Sequence, residues 1–478
     1  MIPLSLTELA KIVDGQVRDC VPTEPADTLM ITSVCTDSRQ LTKDDLFIAL
    51  KGPNFDGHRF VEQAASIGCT AALVESEQQL SGQRFPQVVV NDCYQAMGEL
   101  AAYVKARINP KTVAITGSSG KTTVKEMVAA ILSRLGTVLA TKGNFNNEIG
   151  VPLTLLRLEP QHEYAVIELG ANHIGEIAYT TGLTKPDVAV INNIAAAHLE
   201  GFGDMCGVAR AKGEIFEGLG PNGVALYNQD TPYAHKWQWR IENKTVRKFS
   251  CESTADVYCT NIRMNGKGCS SFTLNTDIGN IDIDVPVPGK HNVCNAVAAA
   301  TVALEFGASL IDIQTGLRGM SPVKGRLNLI NLVNDLTLID DTYNANVEST
   351  KAAVELLASY PGRSILVLGD MAELGEEARA YHQEVGEHAL QQQVDNLLTL
   401  GVLSQSTSAV FEQDGRHFSS RDLLVEHLAN LLKDEQQPIT VLVKGSRSAR
   451  MELVVKDIKD WRENADQQTN NNKEASKC

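Results

Sequence analysis

The run Thr116-Gly117-Ser118-Ser119-Gly120-Lys121-Thr122-Thr123 contains the residue types that hold a polyphosphate. Glycines let backbone N–H groups approach phosphate oxygens, and a helix N-terminus adds partial positive charge. A lysine offsets the β/γ charge, and the next hydroxyl can reach Mg2+. The run departs from GxxxxGK[ST] because its first glycine position is Ile115, with Gly117 two residues later. The plain alternative is a Gly/Ser turn that merely opens a helix. Placement between the apolar strand KTVAITG and the amphipathic TTVKEMVAAILSRL favours a nucleotide phosphate site.

Phosphoryl transfer also requires a divalent cation, whose ligands are expected at the carboxyl ends of neighbouring strands. Glu168 closes EYAVIEL, and His198 follows DVAVINNIAAA. Mg2+ prefers oxygen, so Glu168 is the stronger candidate; a histidine alone is more often a packing or capping residue, and only its position after the next strand draws His198 towards the site. Lys212, in ARAKGEIF, is either a solvated charge or a functional amine. Asn144, Asn146 and Asn147 of GNFNNEIG fit turn chemistry and polar substrate binding equally.

These residues need a scaffold. The chain has 478 residues, and at roughly one domain per 150 residues that suggests about three domains. Hydrophobic residues at 43% and charged ones at 21% belong to an ordinary globular protein. Residues 1–91 mix short helices with short apolar strands at 46–50, 71–75 and 87–90, and a Ser5/Glu8 capping box opens the first helix. Residues 92–322 repeat strand, turn and helix, with Val124, Met127, Val128, Ile131, Leu132 and Leu135 on one helical face. Strands such as VAIT and AVIEL are apolar on both faces, as in a covered parallel sheet, whereas 251–288 alternates like an antiparallel insertion. Parallel rhythm returns in 323–462 through LTLID, SILVLG, NLLTLG and ITVLVKG. The last stretch, 463–478, lacks apolar periodicity and is expected to be a disordered tail. The fold class is therefore α/β: a small N-terminal unit, a central P-loop-type mostly parallel sheet, and a Rossmann-like C-terminal unit.

A formal net charge of −15 argues against coating nucleic acid or an anionic membrane. The ten cysteines have no CxxC pair and read as reduced thiols, which favours a cytoplasmic setting. No uncharged apolar run reaches the roughly 18 residues of a membrane span, and Glu8 and Lys11 interrupt the first apolar stretch, so neither membrane insertion nor a signal peptide is expected.

In order along the chain, TGSSGKTT, GNFNNEIG, Glu168 in IELG, His198 in AAAHLEGFG, Lys212 in AKGEIF, GKHNVCNAVAA, Gly325-Arg326 and Asp341 in DDTYNAN resemble the Mur ligase family, ATP-dependent amide-forming enzymes of peptidoglycan synthesis. The resemblance covers nearly all of the chain apart from the tail. TDSRQL, LGDMAELG (368–375) and KGSRSARME (444–452) are similar to members that join D-alanyl-D-alanine to a UDP-N-acetylmuramoyl-tripeptide. The resemblance implies that residues 117–123 hold the ATP triphosphate, Asn292, Asn295 and Asp341 contact adenosine, and Arg326 reaches phosphate near a hinge. It implies that Lys212 is carbamylated, so that with Thr122, Glu168 and His198 it serves a pair of Mg2+ ions. Carbamylation needs a neutral amine, so Lys212 should be buried.

For the substrates, the resemblance implies Ser38 and Arg39 at the UDP-sugar, Asn146 and Asn147 at bound substrate, and Asp370, Lys444 and Arg447 facing the dipeptide. Within one chain, a monomer, the tripeptide carboxylate attacks the γ-phosphate and D-alanyl-D-alanine then attacks the acyl phosphate. Two other classes stay open: a P-loop kinase or ATPase without an amide product, and a nucleotide-gated binding protein. Within the ligases the alternatives are a sister enzyme adding one amino acid and a folylpolyglutamate-synthase-like enzyme.

Overall fold

The computed structural model describes residues 1–19, 25–81, 84–332, 336–411, 413–433 and 437–475. Three main sheets follow one another along the chain. The first has five strands in the order Gln16–Arg18, Gln87–Val89, Ala71–Val74, Asp45–Ile48 and Ser33–Cys35, antiparallel at the first pair and parallel thereafter. The expected capping box is present, with Ser5 Oγ accepting from Glu8 N at 3.2 Å, and it opens the helix Leu6–Ile12. The apolar core of this unit continues without a break onto one face of the second sheet, joining Leu6, Leu9 and Leu100 to Ile167 and Phe216.

The second sheet has nine strands. Its order is Val138–Ala140, Tyr164–Glu168, Lys111–Thr116, Val188–Ile191, Val224–Asn228, Thr245–Ser250, Val257–Met264, Cys269–Thr276 and Gly279–Pro288. Every pair is parallel up to Val257–Met264, and the last two pairs are antiparallel. The alternating stretch 251–288 therefore extends the parallel sheet at its edge. Lys111–Thr116 lies between Tyr164–Glu168 and Val188–Ile191, in registers that oppose Ile115 to Glu168 and Thr116 to Ile191. The chain leaves this central strand for one side and returns on the other, which makes its carboxyl end a topological switch point where a ligand crevice opens. Val124, Met127, Val128, Ile131 and Leu132 of the following helix Lys121–Leu132 are all fully buried, as their spacing predicts.

The third sheet runs Asn328–Leu332, Leu336–Asp341, Ile439–Lys444, Arg363–Gly369, Asn396–Leu400 and Gly415–Phe418, antiparallel only at the first pair, with separate apolar clusters on its two faces. Two expectations are corrected. The stretch expected to be a disordered tail is helical as far as Ala475, because the helix Glu452–Ala475 continues into it; residues 476–478 lie outside the described residues. Ala, Glu, Gln and Lys are good helix formers, so a helix already nucleated on the core propagates without an apolar stripe; missing periodicity argues against a packed face rather than against a helix. The cysteines are also not all independent thiols: Cys251 and Cys294 form a pair with Cα atoms 5.7 Å apart, while Cys20 and Cys478 lie outside the described residues. The partners are 43 positions apart, one just after a strand and one on the helix His291–Glu305, a proximity that spacing alone does not reveal.

Candidate active site

Gly120 makes the turn into the phosphate-loop helix with φ of +75°, a left-handed conformation that side chains resist. A Cβ there would also lie 2.5 Å from Asn295 Oδ1 and 2.8 Å from Asn192 Nδ2, so both backbone and space require glycine. The amides that crowd it form a chain. Asn292 Nδ2 donates to Pro288 O at 2.7 Å, Asn295 Nδ2 to Asn292 Oδ1 at 2.8 Å, and Asn192 Nδ2 both to Asn295 Oδ1 at 2.9 Å and to Ser119 O at 3.1 Å. Asn193 Oδ1 accepts from Ser119 N at 2.9 Å, and the Ser118 hydroxyl donates to Ala195 O at 2.9 Å. Sequence reasoning placed Asn292 and Asn295 but missed Asn192 and Asn193. The available signal was two consecutive side-chain amides at the end of the apolar strand VAVI.

Lys121 Nζ donates to Gly117 O at 2.8 Å, folded over its own loop. Burial lowers its pKa, and Arg326 adds to that effect while Glu168 opposes it. Thr122 Oγ1 accepts from Arg326 Nη2 at 2.8 Å, and the Arg326 guanidinium stacks 4.3 Å from the Tyr343 ring centroid. Thr123 is buried in the first turn of the helix. From the third sheet, Asn346 Nδ2 reaches Ser118 O at 3.4 Å. Together these groups border a cleft of about 600 Å³ lined by Lys121, Asn295, Arg326, Asp341, Tyr343 and Lys444 among others.

Glu168 is buried at the end of its strand, and its charge acts on Lys121. One oxygen, Oε1, accepts from Asn146 Nδ2 at 2.8 Å; the other, Oε2, is buried with no partner. A lone buried carboxylate oxygen beside a phosphate loop fits a hard cation that takes oxygen ligands. Asn147 has a different job, its Oδ1 accepting from Gly150 N at 2.9 Å at the start of the helix Gly150–Leu155. Of the two readings left open for this loop, Asn147 follows the turn one, whereas the Asn146 amide is spent on Glu168.

Lys212 is fully buried, as carbamylation requires, and its Nζ has no hydrogen-bond partner. Burial holds its pKa well below the usual lysine value, and Lys121 pushes the same way. Its helix, Met205–Gly213, is capped by Asp204 and pinned by Trp237, whose Nε1 donates to Ala209 O at 2.7 Å. Lys212 Nζ lies 5.7 Å from the Phe202 ring centroid, and His198 meets the same ring edge-on at 6.2 Å. His198 does not line the cleft; its Nδ1 stands against Glu373 Oε2 from the loops of the third unit. Among the described residues, no three His, Cys, Asp or Glu side chains are arranged to hold a metal ion.

The predicted substrate residues fare unevenly. Lys444 lines the cleft, with Nζ 2.5 Å from Asp341 Oδ2 and 3.0 Å from Asn344 O. Parallel register sets Asp341 beside Lys444, which explains the pairing. The Asp370 carboxylate is taken up by the backbone N–H groups of Val402, Leu403 and Ser404 at 3.0, 3.0 and 2.8 Å, so it shapes a loop instead of facing an amine. Arg447 is exposed and donates to Glu452 Oε1 at 3.1 Å. In the first unit, Arg39 is held by Asp37 through contacts of 2.8 and 2.7 Å on an exposed turn, the Asp37 pKa falls to about 2 through that hydrogen bonding, and Ser38 O accepts from Gln63 Nε2 at 3.1 Å. Ser38, Arg39, Asp370 and Arg447 are all outside the cleft lining.

Three family models match in succession: "Mur ligase family, catalytic domain" over 30–114, "Mur ligase middle domain" over 115–303, and "Mur ligase, glutamate ligase domain" over 325–447. The chain is 48% identical to the UDP-N-acetylmuramoyl-tripeptide–D-alanyl-D-alanine ligase of Escherichia coli K12, covering 96% of this chain and 99% of that one. It is 35% identical to the Bacillus subtilis protein of the same name, at 96% and 99% coverage. Among solved structures it is similar to MurF from Acinetobacter baumannii, with TM-score 0.89, 37% identity and coverage of 96% and 99%. MurF ligase from Thermotoga maritima in complex with ADP aligns with TM-score 0.80 and 26% identity, covering 91% and 98%.

Proposed function

The chain belongs to the Mur ligase family, and from that premise we propose that it joins D-alanyl-D-alanine to UDP-N-acetylmuramoyl-tripeptide with ATP, forming ADP, phosphate and an amide bond in peptidoglycan precursor synthesis. The observation that carries the chemical part of this reading is the pair of unpartnered buried atoms, Glu168 Oε2 and Lys212 Nζ, whose side chains both interact electrostatically with Lys121. The substrates rest on end-to-end similarity to the ligases that act on them.

Backbone N–H groups of 117–123 cradle the triphosphate, and Lys121 leaves Gly117 O to meet phosphate oxygens. Arg326, already against Thr122, adds positive charge where the tripeptide carboxylate approaches a phosphate anion. Asn292 and Asn295 face the adenosine side with Asp341, whose partner Lys444 serves the nucleotide rather than the dipeptide. Glu168, with Thr122 and His198, would hold Mg2+, which supplies charge neutralisation for phosphoryl transfer. The buried Lys212 amine, in its neutral form, would take up CO2 with loss of a proton, and the resulting carbamate would offer an oxygen ligand for a second ion. The acyl phosphate then meets the free amine of D-alanyl-D-alanine. Contacts of Arg326 and Asn346 with the phosphate loop bring the third unit over the site and exclude water that would hydrolyse this intermediate.

Residues 1–91 form the UDP-sugar side, 92–322 the ATP-binding unit and 323–462 the adenosine and amine side of a cytoplasmic monomer. No helix among the described residues is long and apolar enough to cross a membrane. The test is ADP release with D-alanyl-D-alanine, D-alanine, an L-amino acid or diaminopimelate, each with and without the UDP-tripeptide. Turnover that needs both the tripeptide and D-alanyl-D-alanine is expected; equal turnover without an amine would leave only an ATPase.

A further inference from the structure

The loop after the strand Arg363–Gly369 is held in place from several directions. Ser446 donates from N and Oγ to Asp370 O at 3.0 and 2.6 Å, and the Asp370 carboxylate is fixed as described above. His382, fully buried, accepts from Met371 N at 2.9 Å through Nε2, and its Nδ1 bonds to Ala378 O at 2.7 Å. Met371 and Leu374 are buried in the core on either side of Glu373. Glu373 itself has φ of +63°, and His198 has φ of +55°. Left-handed backbone at a non-glycine residue persists only where the surroundings over-determine it. Here two such positions, one from the second unit and one from the third, meet: the Glu373 carboxylate lies against His198 Nδ1, and Glu200 N approaches Glu373 O at 3.4 Å.

We propose that Glu373 is a positioning residue that sets the His198 imidazole in one tautomer, with Nδ1–H towards the carboxylate and Nε2 left as the ligating nitrogen. His198 is then ready only when the third unit is docked on the second. This rests on the reading of His198 as a metal ligand given above. A carboxylate on the far nitrogen of a ligating histidine fixes ring orientation and raises its basicity, and removing such a partner costs roughly 10–100-fold in metal affinity. The same ring packs on Phe202, which also borders Lys212 Nζ, so a loosened His198 disturbs the wall beside the carbamate position as well.

The test begins with metal-free, full-length protein carrying 15N-labelled histidine. The long-range proton–nitrogen spectrum reports the tautomer, and the His198 signals are those lost in His198→Gln. A single fixed tautomer is expected in the parent protein, averaged signals in Glu373→Ala, and a retained tautomer in Glu373→Gln, whose amide oxygen still accepts from Nδ1–H. In turnover assays Glu373→Ala should raise the Mg2+ concentration for half-maximal ADP release by about tenfold or more, with KM for D-alanyl-D-alanine changed less than about twofold. Should the alanine variant be unstable, Glu373→Met keeps the volume and gives the same reading. A fixed tautomer in Glu373→Ala, or an unchanged Mg2+ requirement there while His198→Gln shifts it, overturns the proposal. If His198→Gln itself leaves the Mg2+ requirement unchanged, the ligand reading of His198 fails instead, whatever the tautomer does in Glu373→Ala.

Discussion

Asn146 Nδ2 donates to Glu168 Oε1 at 2.8 Å, and this single amide orients the strand-end carboxylate so that only Oε2 is left buried and free. Asn146→Ala should therefore raise the Mg2+ requirement by about 10–100-fold while the fold persists, because the ligand remains but its orientation is lost. Magnesium titration of ADP release, with circular dichroism as the control for folding, measures it. Normal Mg2+ dependence would show that the amide serves the loop alone.

Gly120→Ala combines a left-handed backbone with a Cβ clash against Asn295 and Asn192. A cost of about 1–3 kcal/mol in stability is expected, together with loss of nucleotide binding, since relief of the clash must break the amide chain. Thermal unfolding and ADP calorimetry on the variant read the two effects separately.

Lys212→Met should abolish amide formation yet raise thermal stability at neutral pH, because it replaces a buried amine whose charging is opposed by burial with an apolar chain of similar length. The folded pKa is below the unfolded one near 10.4, so the unfolded state binds the extra proton and the parent's handicap shrinks as pH rises towards that value. The stability gap between variant and parent should narrow accordingly from pH 7 to pH 10. Degassed, bicarbonate-free buffer should lower parent activity, and added bicarbonate should restore it.

Lys444→Met leaves the Asp341 carboxylate unpaired at a site where both groups are buried. Breaking such a pair costs about 3–5 kcal/mol, and ADP affinity should fall with it. Denaturant titration and ADP binding should both register the loss; retained ADP affinity would detach the pair from the nucleotide side.

Burial lowers the pKa of His382, and its neutral ring accepts the Met371 N–H. Its contribution is complete above the unfolded value near 6.5 and is lost as pH falls from there through the lower folded value. The protection factor of the Met371 amide, which corrects for the slower intrinsic exchange in acid, should therefore fall on acidification below about pH 6.5 in the parent. In His382→Gln the protection factor should be low already at neutral pH and lack that acid step.

What the sequence made legible was whatever depends on neighbours along the chain. The Ser5/Glu8 box, the buried face from Val124 to Leu132 and the strand-loop-helix cradle around Lys121 all follow from spacings of three, four or a few residues. Burial of Lys212 was foreseen from the chemistry that the family resemblance implies. What stayed hidden involves long-range register. The partner of Lys444, Asp341, is 103 positions away and meets it only across a parallel ladder. The three backbone donors that occupy the Asp370 carboxylate come from residues 402–404, too far along the chain to be read from its neighbours. Asn192 and Asn193 were overlooked because an amide bracing a loop and an amide in an ordinary turn look alike until the helix His291–Glu305 is packed beside them.

Arg326 stands just ahead of the first strand of the third sheet while its guanidinium rests on Thr122 of the second. A joint built this way has no neutral gear: swinging the last lobe outward pulls a cation off the phosphate loop in the same stroke, so unlocking the enzyme and loosening its grip on spent nucleotide become a single motion.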